Sequence, residues 1–179
     1  MLLRVLPLLC LAACPNGAAA PGTCPDFIAG DLSQPVGLIP FASGSGLPIN
    51  DGDAVGLARP EQGGYVIFVG VLVRNLHACG LTVSAELIDR ATGRAATDLD
   101  RRQGDFTQQV MGYFQSPAGD GEPNIPACPN NLGETIAGKE ATLHLTVTDK
   151  LGRTATLERR VTPACPAGDS VCAKLCGPR

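Results

Sequence analysis

Residues 141–161 decide the fold: Ala141-Thr-Leu-His-Leu-Thr-Val-Thr148, Asp149-Lys-Leu-Gly-Arg153, Thr154-Ala-Thr-Leu-Glu-Arg-Arg-Val161. Apolar and polar residues alternate on both flanks, the two-residue period of a strand with one buried face. Leu143, Leu145 and Val147 therefore point inward, and Thr142, His144, Thr146 and Thr148 point outward. On the return, Ala155, Leu157 and Val161 form the inward set. Asp149 and Gly152 supply turn chemistry between the flanks, so the stretch reads as an antiparallel hairpin.

Upstream, Leu81-Thr-Val-Ser-Ala-Glu-Leu-Ile-Asp89 alternates in the same way, with Leu81, Val83, Ala85 and Leu87 inward. It runs into a second turn of similar chemistry, Asp89-Arg-Ala-Thr-Gly-Arg94. Tyr65-Val-Ile-Phe-Val-Gly-Val-Leu-Val-Arg74 follows Gly63-Gly64 and is apolar on both faces. With Tyr65, Ile67, Val69, Val71 and Val73 on the core, Val66, Phe68 and Leu72 face outward and need a cover. That cover is either the segment from Phe27-Ile28 through Pro40-Phe41 or a protein partner. Gln109–Gln115 reads as a weaker strand, and no stretch shows an amphipathic helix of three turns. Short strands between turn signals predict an all-β chain, an antiparallel β-sandwich.

The N-terminus reads as an address. Arg4 precedes the apolar run Val5–Ala13, which stops at Leu11-Ala-Ala-Cys14. A membrane-spanning helix needs about 20 apolar residues, so this run is an export signal and not a span. Two cleavage points compete: before Cys14, or after Ala18-Ala19-Ala20. Six of the eight cysteines remain on either reading: Cys24, Cys79, Cys128, Cys165, Cys172 and Cys176. An even number in an exported chain predicts up to three disulfides. The expected organisation is a signal peptide over 1–13, a flexible Pro/Gly/Ala-rich tether over 14–35, a domain over 36–165 and a cysteine-containing tail over 166–179.

Composition and motifs narrow the chemistry. A net charge of −3 gives no electrostatic basis for binding nucleic acid. The absence of tryptophan, with aromatics at 4%, argues against a sugar-stacking platform. His77 and His144 are the only histidines, and both read as surface residues. Gly44-Ser45-Gly46 lies in a turn-dense stretch and is not a nucleophile elbow. The chain is therefore expected to be non-catalytic, a small secreted hydrolase being the weaker alternative. Cys172-x-x-x-Cys176 with Cys165 or His77 has zinc-ligand residue types, but paired disulfides fit an exported chain better, and no cofactor is expected. Asp51-Gly-Asp53 and Asp120-Gly-Glu122 read as Asx-type turns, with a calcium-dependent adhesion module as the alternative.

Two resemblances add to this reading. Leu11-Ala-Ala-Cys14 resembles the lipobox of bacterial lipoproteins, which implies cleavage before Cys14, acylation of that residue and anchoring to a membrane. The hairpin of residues 146–156 resembles the closing strands of bacterial immunoglobulin-like domains. Together with Gln62-Gly-Gly-Tyr65, the long apolar strand and Ile88-Asp-Arg-Ala-Thr-Gly93, it resembles uncharacterised bacterial lipoproteins carrying one immunoglobulin-like β-sandwich domain, over residues 36–165. The resemblance implies a non-catalytic binding or structural module of the bacterial cell envelope. Its partner would be a protein or a surface polymer. It also implies that Cys128 approaches Cys165 and that Cys24 reaches Cys79. Cys172 and Cys176 would then pair locally or with either of these, with Cys79–Cys128 as the rival pairing.

Overall fold

The computed structural model describes residues 28–119, 121–129 and 135–176. Strands β1 (Ile28–Ala29), β2 (Gly37–Ala42), β3 (Leu47–Pro48) and β4 (Asp53–Gly56) lead into β5 (Tyr65–Arg74). Then come β6 (Leu76–His77), β7 (Leu81–Asp89), β8 (Asp100–Gly104), β9 (Gln108–Val110), β10 (Tyr113–Gln115) and β11 (Asn124–Cys128). The chain closes with β12 (Ala141–Thr148), β13 (Thr154–Ala164) and helix α1 (Ser170–Cys176).

These elements form two larger sheets around one core. One sheet has the order β3-β2-β5-β10-β9, with β11 also paired to β5, and the other has the order β4-β13-β12-β7-β8. All pairings are antiparallel except β4 on β13. The alternating sequences explain the second sheet: β12 pairs residue for residue with both β13 and β7. Leu81, Val83, Ala85, Leu87, Leu143, Leu145 and Val147 are thereby almost completely buried. Tyr65, Ile67, Val69, Val71 and Val73 oppose them from β5 in the same apolar cluster. Burial of each Val, Leu or Ile among them stabilises the fold by about 1.5–3 kcal/mol.

Several elements depart from the sequence reading. Gln109–Gln115 is not one strand but the hairpin β9–β10, with Val110 paired to Tyr113 across Met111 and Gly112. Both turn residues have positive φ, 50° and 78°, the combination that joins twisted strands in two residues. Methionine is rarely found there, so the turn carries no sequence signal. Ala155 and Leu157 are half-buried because β4 covers β13 only from Val161 to Ala164. The folded body starts upstream of residue 36: β1 pairs with β6, and Ala29 enters the core at 2% exposure. The tail folds too. Asp169 caps α1 by accepting the amides of Val171 and Cys172 on Oδ1 at 3.0 and 2.9 Å.

The disulfides follow a different pairing from the expected one. Cys128 bonds Cys176 and Cys165 bonds Cys172. This replaces the expected Cys128–Cys165 pair, a local Cys172–Cys176 pair and the rival Cys79–Cys128. The cause is α1, which carries Cys172 and Cys176 back towards the ends of β11 and β13. Cys79 is also disulfide-bonded, while its expected partner Cys24 lies outside the described residues.

Candidate functional site

A groove crosses the outward face of the first half of β5. One wall is the reversal at Pro60–Gly64, where Gly63 and Gly64 adopt φ of 89° and 74°. It returns the chain so that Ala58 and Val66 exchange two backbone hydrogen bonds of 2.8 and 2.9 Å. The other wall is β11, whose Asn124 and Pro126 lie opposite Phe68 and Val66. Directly paired residues share a sheet face. Val66, Phe68, Asn124 and Pro126 therefore stand together on the face turned away from the core.

β8 completes the wall with Asp100 and Arg102. Arg102 Nε donates to Asp100 Oδ2 at 2.7 Å, and the same oxygen accepts the Asn124 amide at 2.6 Å. One carboxylate thus fixes a guanidinium and the edge of β11 together. Asn124 Oδ1 is buried and has no hydrogen-bond partner among the described residues. The groove encloses about 430 Å³ beside Val66 and Asn124 and continues into about 320 Å³ beside Phe68 and Glu61. An apolar floor with a few fixed polar groups is the usual make-up of a ligand site.

A third hollow of about 320 Å³ lies across Phe68, against residues 42–45 and 56–58. At its rim the Ser43 hydroxyl donates to Glu122 Oε2 at 2.5 Å, and Gly119 N donates to the same oxygen at 3.4 Å. Glu122 is 2% exposed, so these donors compensate a carboxylate taken from water. Glu122 belongs to one expected acidic loop, and its companion Asp120 lies outside the described residues. In the other loop, Asp51 Oδ1 accepts the Arg160 amide at 2.9 Å and Asp53 Oδ2 accepts the Asn50 amide at 2.7 Å.

Of the expected partner face, Val66 is buried on the groove floor and Phe68 is half-buried between two hollows. Leu72 is half-buried further along, between Ile39 and Gln115. The Phe41 ring, lying over Gly70, separates it from the groove. Cys14 lies outside the described residues. His144 faces outward as expected, with Nδ1 3.3 Å from Glu86 Oε1. His77 does not: it is 8% exposed, and neither ring nitrogen has a hydrogen-bond partner among the described residues. β1 pairs across it, and Asp149 Oδ2 accepts its amide at 3.2 Å.

Asn124, Asp100 and Arg102 were not singled out by the sequence. They sit in short strands without alternation, and only the pairing of β11 on β5 and the approach of β8 bring them together. Comparison of the chain with protein-family models, with curated proteins and with solved structures finds no match.

Proposed function

We propose that the protein is a lipid-anchored, non-catalytic binding module of the bacterial cell envelope, built as an immunoglobulin-like β-sandwich. The groove floored by Val66 and Phe68 receives the partner, a protein or a surface polymer. The observation that carries this reading is Asn124 Oδ1, a buried acceptor without a donor among the described residues, beside a fixed guanidinium. An unpaired buried acceptor costs about 1–3 kcal/mol, and a ligand that donates to it recovers that cost on binding.

Three further points support the reading. Two disulfides fit an oxidising, extracytoplasmic compartment. Among the described residues no helix is long and apolar enough to cross a membrane, and the proposal takes its anchor from the lipobox-like Leu11-Ala-Ala-Cys14. Finally, Asn75 at the far end of β5 receives Ala29, while the groove lies at the Tyr65 end. Ten residues at about 3.3 Å each separate those ends by roughly 30 Å, so a chain tethered ahead of Ile28 presents the groove away from its attachment.

Expression with the native leader, followed by mass spectrometry of the mature N-terminus, tests the anchor. Acylated Cys14 is expected, and an unmodified terminus after Ala20 would overturn it. Photo-crosslinking in envelope preparations tests the site. A crosslinker at Gln62 should capture one defined partner, with loss on Asn124→Ala, whereas one at Thr156 on the open sheet face should not. Equal capture at both positions would refute the groove.

A further inference from the structure

We infer that the four cysteines around α1 form, once reduced, a tetrathiolate site for Zn2+. This goes beyond the proposed binding role and does not rest on it. The two disulfides converge: the sulfurs of Cys165, Cys172 and Cys176 lie within 4.8 Å of one another, and Cys128 is bonded to Cys176. Tetrahedral zinc with Zn–S bonds of about 2.3 Å holds its sulfurs about 3.8 Å apart, within the spacing of the three clustered sulfurs, and Cys128 joins them from its place beside Cys176.

The donor set matches a closed structural site. Cys172 and Cys176 form a pair on consecutive turns of α1, and Cys128 and Cys165 come from the ends of β11 and of β13. Paired cysteines at short spacing with ligands from a second place are the usual zinc arrangement. Cys128, Cys172 and Cys176 are fully buried and Cys165 partly so, leaving little room for a bound water. Four thiolates favour a soft or borderline cation over calcium or magnesium. The site also has a structural task. A seven-residue helix is too short to persist by itself, so a cross-link of one kind or the other adds to the Tyr65–Asp169 contact in holding α1.

The chemistry balances. Each bridge takes two electrons and two protons from one dithiol, which becomes its own disulfide, and two cysteine thiols result. Zn2+ then binds as four thiolates and releases four protons. A disulfide oxidant that takes two electrons from each thiolate pair, and is itself reduced to a dithiol, reverses the sequence and expels the metal, so the compartment selects the cross-link.

The test is an anaerobic titration of the full chain, reduced with a phosphine that leaves as its oxide and is not a thiol ligand. Co2+ serves as the spectroscopic probe. One Co2+ per chain is expected, with the strong visible absorption of tetrahedral thiolate coordination, displaced by Zn2+. Zinc should also restore a cooperative melting transition to the reduced chain. Cys165→Ser and Cys176→Ser should each lose the tetrathiolate spectrum, and Cys79→Ser should keep it. No such spectrum, no restored transition, or a spectrum indifferent to Cys165→Ser and Cys176→Ser would each overturn the inference. Because the titration reads only the reduced chain, failure of the export reading would leave its outcome unchanged.

Discussion

Tyr65 and Asp169 stand 104 residues apart and meet through one hydrogen bond, in which the tyrosine hydroxyl donates to Oδ2 at 2.9 Å. The same carboxylate caps α1 through its other oxygen. One side chain therefore starts the helix and fastens it to β5, the strand that floors the groove.

This arrangement predicts acid sensitivity. The Cys172 amide, and after it the Tyr65 hydroxyl, hold the Asp169 carboxyl below the usual aspartate range. A carboxyl whose folded value lies below its unfolded one contributes stability that is complete above about pH 4 and fades as the pH drops through the folded value. The melting temperature should therefore fall below pH 4. Asp169→Asn should start lower at pH 7 but show a shallower fall. Thermal melts followed by circular dichroism from pH 2 to 7 check this, and equal slopes would remove Asp169 as a cause.

Gly70 and Phe41 make the second prediction. They are directly paired, and a Cβ on Gly70 would lie 2.1 Å from the Phe41 ring, which is itself 6% exposed. The ring is packed and cannot swing away freely, so Gly70→Ala should destabilise by about 1–3 kcal/mol. In a Phe41→Ala background the same change should cost much less, because the two sites share one volume. Urea unfolding of the four-member cycle measures the coupling, and additive effects would mean that the ring relaxes without penalty.

The third prediction concerns His77. Among the described residues neither buried ring nitrogen has a partner, although the backbone is held by Asp149 and by β1. Removing an unsatisfied polar group while keeping the volume similar should be favourable. His77→Leu should stabilise by about 1 kcal/mol in urea unfolding. Destabilisation would mean that a donor or acceptor reaches the ring in solution.

These cases show where the sequence was legible. Alternation placed the inward residues of β7 and, Ala141 apart, those of β12, because those strands are paired on both sides and their burial depends on period alone. The same alternation overstated Leu157, since burial on β13 depends on where a neighbouring strand stops. His77 was misread because a two-residue strand, β1, covers it from a segment read as tether. The groove was half legible. The apolar outward face of β5 announced Val66 and Phe68, while the polar wall needed β8 and β11, whose sequences carry no period.

The disulfides give the last prediction, and it separates two effects. Cys128–Cys176 spans 48 residues and Cys165–Cys172 spans 7. If the bridges act by restricting the unfolded chain, loop-closure entropy assigns about 4 kcal/mol to the first and about 2.4 kcal/mol to the second. The double variants Cys128→Ala/Cys176→Ala and Cys165→Ala/Cys172→Ala should then differ by about 1.7 kcal/mol in urea unfolding. A smaller or inverted difference would point to the folded state, where three of the four cysteines are fully buried against the core. Only the first variant frees α1 from β11, so it alone should also weaken the Tyr65–Asp169 contact and flatten the acid-dependent loss of stability.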